Sequence, residues 1–432
     1  MSAKKLGLTG KILIGMVAGA ILGVILNPLN VDGSTVQFVF VDGIFRVLGE
    51  FFITSLMMLV VPLVFFSLVV GTCSLSDPAS LGRLGGKAVG LYLMTTAIAI
   101  TLALAVANIV KPGRSGALER PNVGEFDAGE APSFLDVLID MVPRNPIDAM
   151  AEGNMLQIIV FALLFGIAMA LAGKPGERLK VVFEDVNEII MKLVMLLMHV
   201  APYGVFALMA RVFADLGWGE VLQGLLLYFG TVFLLLVFHG WVMYPLILTA
   251  LTRLNPRMFL KKMAGNQVFA FSISSSNATI PVTLRTVKQR LGVDNSVASF
   301  TVPLGATINM DGTAIMQGVA TVFIAQIYGI ELTMAQYLMV IGTATLASIG
   351  TAGVPGVGLI MLAMVLQQVG LPVEGIALIL GVDRLLDMTR TAVNITGDAM
   401  VTTVVAKSEG KLDEAIYNDP EAGLANRSRS DT

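Results

Sequence analysis

The 432-residue sequence has one cysteine, two histidines, two tryptophans and only 14% charged residues, and each scarcity closes off a class of protein. The single cysteine, Cys73, cannot form an internal disulfide, and His199 and His239 are too few to build a histidine metal site. A formal net charge of -3 with no basic stripe excludes nucleic acid as a partner. Long polar stretches are equally scarce. With 55% hydrophobic residues and a mean hydropathy of +0.81, the chain carries more apolar surface than a soluble core of this size can bury. It reads as an integral membrane protein.

Apolar runs of the ~20 residues needed to cross a bilayer recur at roughly 10–30, 44–72, 86–110, 154–173, 184–213, 221–252, 297–329 and 374–406, giving eight expected crossings. The stretch beginning near Leu13 is long and lacks a small-residue cleavage site, so it reads as the first span rather than a removable leader. Lys and Arg gather in cytoplasmic loops. Lys4, Lys5 and Lys11 place the N-terminus inside, and the loop from Asn27 to Asp42 has neither residue. Basic clusters recur inside at Arg83 and Lys87, at Lys174, Arg178 and Lys180, and at Arg253, Arg257, Lys261 and Lys262. The segment 111–150 falls outside, its Lys111, Arg114, Arg120 and Arg144 diluted by acids, prolines and glycines as in a solvated loop.

Arg285, Lys288 and Arg290 follow the 253–262 cluster across a single apolar stretch, so both ends of 263–284 face the cytoplasm. That stretch enters the membrane and turns back at "SISSSNATIP", a polar tip ending in the helix-breaking Pro281. The segment 334–369 repeats the pattern from the outside, with ends free of Lys and Arg and a middle reading "ASIGTAGVPGVG". Each hairpin precedes a spanning segment with a polar break, "NMDGT" at 309–313 and "NITGD" at 394–398. Hairpin plus broken helix, twice and from opposite faces, is the signature of an inverted-topology repeat. The tail beyond Lys411 is polar and reads as disordered.

In "DRLLDMTRTAVNITGD", positions 383–398, a helix of about 100° per residue places Asp383, Asp387, Arg390, Thr391, Asn394 and Asp398 within an arc of about 100°. Leu385, Leu386, Ala392, Val393 and Ile395 fall outside it. At mid-membrane each Asp or Arg costs about 2.5–3.5 kcal/mol, and each Leu or Ile returns only about 0.3–0.6 kcal/mol. The stripe therefore faces protein or a water-filled site, where such residues handle substrate or ions. A purely structural alternative is an i, i+3 ion pair of Asp387 with Arg390; it leaves Asp383, Asn394 and Asp398 without a role. "NMDGT" adds Asn309 and Asp311, with Gly312 placed to loosen the backbone and free carbonyl oxygens. Such hard oxygen ligands suit Na⁺ better than a transition metal; the plainer alternative is a glycine kink beside a solvated aspartate. The hydroxyls of "SISSSNATIP" serve close helix packing or, at a re-entrant tip, join backbone N–H groups suited to a carboxylate.

These motifs carry a resemblance. The chain is similar, from about Lys11 to Lys407, to the dicarboxylate/amino acid:cation symporters, most specifically in "SISSSNATIP", "GATINMDGTA", "SIGTAGVPG" and "LLDMTRTAVNITGD". The resemblance implies an all-α integral membrane fold of eight transmembrane helices and two re-entrant hairpins, working as an inverted-repeat elevator transporter and homotrimer. It implies a cell (inner) membrane location, embedded in lipid with both termini cytoplasmic. A scaffold of 1–82 and 151–220 would hold still, while a transport domain of 83–110 and 221–408 carries the site and the second hairpin gates it from outside. Residues 111–150 would form an extracellular loop and the entry to the fourth helix, and 409–432 a disordered cytoplasmic tail.

The same resemblance implies that Arg390 receives a substrate's side-chain carboxylate and Asp387 its ammonium group. Thr391, Asn394, Thr313, Ser274, Ser276, Val354 and Gly358 would bind the main-chain part. For Na⁺ it implies one site at Asp398, Asn394, Asn309 and Gly305. A second would use Thr307, Ser348, Ile349 and Thr351, largely through backbone carbonyls, and a third Asp311, Asn309, Tyr92, Thr95 and Thr96. Arg390 points to an acidic substrate, because relatives moving neutral amino acids tend to lose it. Asp387 points to an amino acid, because relatives moving plain C4-dicarboxylates or using protons tend to lack it and the counterpart of Asp398. The further arginine that many relatives carry at the first hairpin tip or at the position of Met388 is absent, and Arg384 stands one turn before Asp387; the choice between aspartate and glutamate stays open.

The expected function is sodium-coupled symport of L-aspartate and/or L-glutamate, without enzymatic chemistry. The alternatives are a proton- or sodium-coupled C4-dicarboxylate or neutral amino acid symporter of the same fold, and a channel using the same polar stripe. An intramembrane hydrolase using a serine of 274–276 needs an adjacent base, and neither histidine has an acidic orienter in the sequence.

Overall fold

The structure is a computed structural model, and it describes residues 8–423 except 32, 76–80, 115–138, 140, 141, 217, 352 and 354. In chain order its helices are α1 (Leu8–Leu26), α2 (Arg46–Leu75), α3 (Gly86–Val110), α4 (Pro146–Glu152), α5 (Met155–Leu171), α6 (Lys174–Leu216), α7 (Trp218–Phe238) and α8 (Tyr244–Thr252). They continue with α9 (Pro256–Ile273), α10 (Ser276–Gln289), α11 (Asn295–Ile308), α12 (Asp311–Ile327), α13 (Met334–Ala347), α14 (Val357–Gln368), α15 (Ile376–Ser408) and α16 (Glu414–Asn418). Among the described residues the fold is all-helical, and a lone bridge between Val293 and Leu412 is the nearest approach to a strand.

Three helices, Val36–Cys73, Arg83–Val110 and Gly224–Thr252, are long and apolar enough to cross a membrane alone. The pair Lys174–Leu197 and His199–Asp215 makes a fourth, bent by 45°. The bend lies one turn before Pro202, whose missing N–H frees the carbonyl four residues back. Of the other expected crossings, 10–30 and 154–173 contain shorter apolar helices, 297–329 divides into α11 and α12, and 374–406 is α15. α15 has ample length, 33 residues, but its stripe of acids and arginines keeps it from reading as an apolar span.

Two packing groups emerge. α1, α2 and α5 lie on α6, and α2 and α5 also on each other, whereas α3, α7, α9, α10 and α11 gather around α12 and α15. Small residues allow α1 to lie directly on α6. A Cβ at Gly15, Gly19 or Gly23 would stand 2.3, 2.3 and 2.5 Å from the carbonyl oxygens of Pro202, Phe206 and Ala210, the close approach that glycines four apart permit between membrane helices.

α9 and α10 form the first hairpin. Their outer ends are tied reciprocally: Lys262 Nζ donates to the Arg290 carbonyl at 2.6 Å, and Arg290 Nη1 donates to the Lys262 carbonyl at 2.9 Å. The turn lies at Ser274, in the left-handed region with φ 56°, and at Ser275, which caps α10 by accepting from Ala278 N–H. The helix-breaking role expected of Pro281 is not found; Pro281 sits inside α10, and the serine cap makes the turn instead. α13 and α14 form the second hairpin. A capping box of Thr333 and Gln336 starts it, and Gln336 Nε2 also reaches the Val369 carbonyl at 3.0 Å, closing the two ends together.

The break at "NMDGT" is present: α11 ends at Ile308, Asn309 and Met310 are non-helical, and α12 starts at Asp311. The break expected at "NITGD" is not. α15 runs through 394–398 without interruption, because Asn394 satisfies another helix instead of its own: its Oδ1 accepts from Gly312 N–H, in the first turn of α12, at 2.8 Å. The disorder expected from residue 409 on is corrected as far as residue 423. α16 packs on the first hairpin, with Lys262 Nζ donating to the Ile416 carbonyl at 2.7 Å and Tyr417 Oη to the Asn255 carbonyl at 2.9 Å.

Candidate functional site

The two hairpin tips meet. Ser275 Oγ donates to the Gly353 carbonyl at 2.7 Å, and Asn277 N–H donates to the same oxygen at 3.1 Å. Beneath that junction the broken end of α11 and the polar side of α15 converge on a cavity of ≈ 290 Å³, counting space open to solvent, near the lower limit of the ~300–1,000 Å³ usual for small-ligand pockets. Ser274, Ser276, Thr313, Gly358, Asp387, Arg390, Thr391 and Asn394 all line it. Val354 lies outside the described residues. Met310, Thr351 and Gly353 complete the wall; sequence reasoning had not given Met310 a place, and its sulfur accepts from Asn394 Nδ2 at 3.3 Å.

Arg390 is 1% exposed. Its Nη2 donates to Asp387 Oδ1 at 2.9 Å, and its Nη1 stands 3.0 Å from Asp383 Oδ1. Asp387 also pairs with Arg384 Nη1 at 3.2 Å. The ion pair weighed as a structural alternative is therefore formed, yet it leaves Arg390 incompletely used, because Nε and Nη1 are buried without a hydrogen-bond partner. Donors buried in that condition are costly and are available to a ligand oxygen. Gly358 leaves the approach open, since a Cβ there would stand 3.2 Å from the guanidinium nitrogens. Ser274 Oγ is likewise buried without a partner.

Next to this cavity lies a second polar group without arginine or lysine. Asp398 accepts from Asn309 Nδ2 at 2.9 Å, and Asn309 Nδ2 also reaches the Asn394 carbonyl at 3.0 Å. Asn309 Oδ1 is buried and unpartnered. Gly305 closes the group from α11, where a Cβ would meet Asp398 Oδ1 at 2.6 Å and the Tyr92 hydroxyl at 2.7 Å. Asp311 accepts from Thr96 Oγ1 at 2.6 Å and from the Tyr244 hydroxyl at 2.8 Å, and His239 Nε2 lies at 3.2 Å. Thr95 turns its hydroxyl back to the Tyr92 carbonyl at 3.0 Å. Two fully buried carboxylates, which no arginine or lysine approaches within ion-pair distance among the described residues, are costly to keep charged unless they are protonated or meet a cation. Their oxygen-rich surroundings fit a hard one such as Na⁺.

His239 and Tyr244 were missed as partners of Asp311. The absence of an acidic orienter read from the sequence is thereby corrected for His239, whose partner lies 72 positions away. The remaining set expected for sodium is arranged differently. Thr307, Ser348 and Thr351 return their hydroxyls to carbonyls of their own helical turns, at Pro303, Thr345 and Ala347, and Ile349 is buried. Thr307 lines a separate cavity with Ser67, Asn187 and Asn277. What joins this set is the second hairpin tip lying on α11, where a Cβ at Gly353 would stand 3.0 Å from the Ala306 carbonyl.

Comparison with known proteins agrees with this architecture. Residues 8–408 match the sodium:dicarboxylate symporter family. The chain is 34% identical to the proton/glutamate-aspartate symporter of Escherichia coli (strain K12), over 95% of this chain and 94% of that one. It is 32% identical to the proton/sodium-glutamate symport protein of Geobacillus stearothermophilus, over 95% and 96%. It is also 37% identical to the neutral amino acid transporter A of Homo sapiens, over 89% and 79%. With the family match running almost from end to end and these relatives covered over most of their lengths, the chain belongs to the sodium:dicarboxylate symporter family.

Proposed function

We propose that this protein is a sodium-coupled symporter of acidic amino acids, L-aspartate and/or L-glutamate. The observation that carries the reading is a buried arginine with unused donors facing a small polar cavity, adjoining two buried carboxylates that call for a cation. Arg390 takes the side-chain carboxylate. Asp387 takes the ammonium group, and Thr313, Thr391, Asn394, Ser274, Ser276, Val354 and Gly358 surround the main-chain part. Na⁺ is cargo, held by Asp398, Asn394, Asn309 and Gly305, by Asp311, Asn309, Tyr92, Thr95 and Thr96, and through backbone carbonyls of Thr307, Ser348, Ile349 and Thr351. Eight helices cross the cell (inner) membrane with both termini cytoplasmic, and three copies assemble. The group around α12 and α15 moves against the group around α6, with the second hairpin as outer gate. The separation of the two packing groups supports that division.

Uptake of radiolabelled aspartate into proteoliposomes tests the reading. An inward Na⁺ gradient is expected to drive accumulation against the aspartate gradient. Uptake indifferent to Na⁺ but driven by a pH gradient would replace sodium with protons as the coupling ion. A preference for serine or alanine over aspartate would favour the neutral amino acid reading, which the human relative's name makes the second choice.

A further inference from the structure

Asp383 has no assigned part in that scheme, and its placement gives it one. It does not line the ≈ 290 Å³ cavity. It lines a neighbouring cavity with Ile12, Phe52, Leu56 and Val205, while Asp387 lines both. Arg390 thus lies between a carboxylate behind it and the proposed substrate position in front.

The two acids hold the guanidinium unequally. Asp387 accepts a well-formed hydrogen bond from Nη2 at 2.9 Å and has a second cation in Arg384. Asp383 comes within 3.0 Å of Nη1, yet neither Nη1 nor Asp383 Oδ1 has a hydrogen bond there, and the Nη2 contact to Oδ2 is 3.5 Å. Charge attraction backed by one long hydrogen bond is the weaker grip, and the one an incoming carboxylate can replace.

We propose that Asp383 competes with the substrate's side-chain carboxylate for Arg390, so that it sets the affinity for acidic substrates and the ease of their release. The inference rests on the acidic amino acid reading above. Asp383 is a positioning residue: it acts on substrate through the guanidinium.

The test is calorimetric titration of the purified full-length protein in Na⁺ with L-aspartate and L-serine. Asp383→Asn removes the competitor at constant shape, and aspartate is expected to bind ~10-fold more tightly, about 1.4 kcal/mol. Serine, which has no side-chain carboxylate, is expected to bind as it does to the wild type. Aspartate binding unchanged or weakened in Asp383→Asn overturns the proposal, because a brace that merely orients Arg390 could only lose affinity. Should that variant fail to fold, Asp383→Glu extends the carboxylate toward Arg390 and is expected to weaken aspartate several-fold; tightening overturns the idea. Failure of the functional reading looks different, since the wild type itself would then bind no acidic amino acid.

Discussion

The two ends of the polar stripe on α15 differ in how their charge is balanced. Around Arg390, two aspartates meet two arginines and the group is neutral by its own residues. About two turns further on, Asp398 and the facing Asp311 are buried with amide, hydroxyl and imidazole neighbours and, among the described residues, no arginine or lysine in ion-pair contact. A self-neutralised group can exchange one ionic partner for another and suits a charged organic substrate. An unbalanced one is costly to bury unless it takes up a proton or a cation from outside the chain. Because Asn394 touches both, lining the cavity while its carbonyl accepts from Asn309, the two groups are linked through one residue.

The sharpest way to break this comparison is to remove the charge at each end. Arg390→Ala leaves Asp383 without its cation and Asp387 with Arg384 alone, and is expected to cost ~2–5 kcal/mol of acidic substrate affinity, the usual range for truncating one partner of a buried charge pair. Sodium binding, read as Na⁺-dependent thermal stabilisation of the purified protein, is expected to persist. Asp398→Asn should do the reverse. The Na⁺ concentration needed for half-maximal stabilisation rises, and aspartate affinity recovers when Na⁺ is raised to compensate. If both variants lose both properties equally, the two ends form one inseparable site.

Much of this was legible in the sequence because the energetic penalties are large. A charged stripe in an apolar chain has to turn inward, and Asp383, Asp387, Arg390, Asn394 and Asp398 are all buried. The first hairpin was legible from basic residues at both ends, and Lys262 and Arg290 are indeed the pair that closes it. Its turn at Ser274 and Ser275 falls within the expected "SISSSNATIP" tip, but the tip does not extend to Pro281, because a proline inside the second arm only resembles a stop while the cap depends on a serine that looks like its neighbours. The "NITGD" break failed for a tertiary reason: the asparagine serves the amide of Gly312, 82 positions away. His239 and Tyr244 could not be seen as Asp311 partners, since nothing local marks them. The polar tail hid an ordered clasp, because buried Tyr417 is a single aromatic in a hydrophilic stretch.

A smaller change sharpens the cation end alone. Gly305→Ala puts a methyl 2.6 Å from Asp398 Oδ1 and 2.7 Å from the Tyr92 hydroxyl. Both must shift, at the ~1–3 kcal/mol typical of overpacking. The expected outcome is a rightward shift of the Na⁺ titration with little change in aspartate affinity at saturating Na⁺. An unchanged Na⁺ titration would mean that the cation sits away from Gly305.

The smallest effect belongs to a third set of charges just beyond the end of α15, and it separates buried from exposed ionic groups. Glu409 accepts from Arg83 Nη2 at 2.8 Å and from Lys87 Nζ at 2.6 Å, joining the end of α15 to the start of α3 at the solvent-facing side. Hydrogen bonds from Arg83 and then Lys87 hold its carboxyl down at about 2, below its ordinary 4.5. A carboxyl lowered by folding stabilises the folded state above its unfolded value and loses that contribution as pH falls through the folded one. The contribution is therefore complete above about pH 4.5 and fades toward about pH 2. With Arg83 largely exposed, salt and water screen it. Glu409→Gln is expected to lower the melting temperature slightly at pH 7, less in high salt, with the gap to wild type narrowing as pH falls below about 4.5. Transport should be unaffected, because the bond lies within the group around α12 and α15 and spans neither cavity. A loss of uptake in Glu409→Gln at full stability would instead mean that the α3–α15 junction moves during transport.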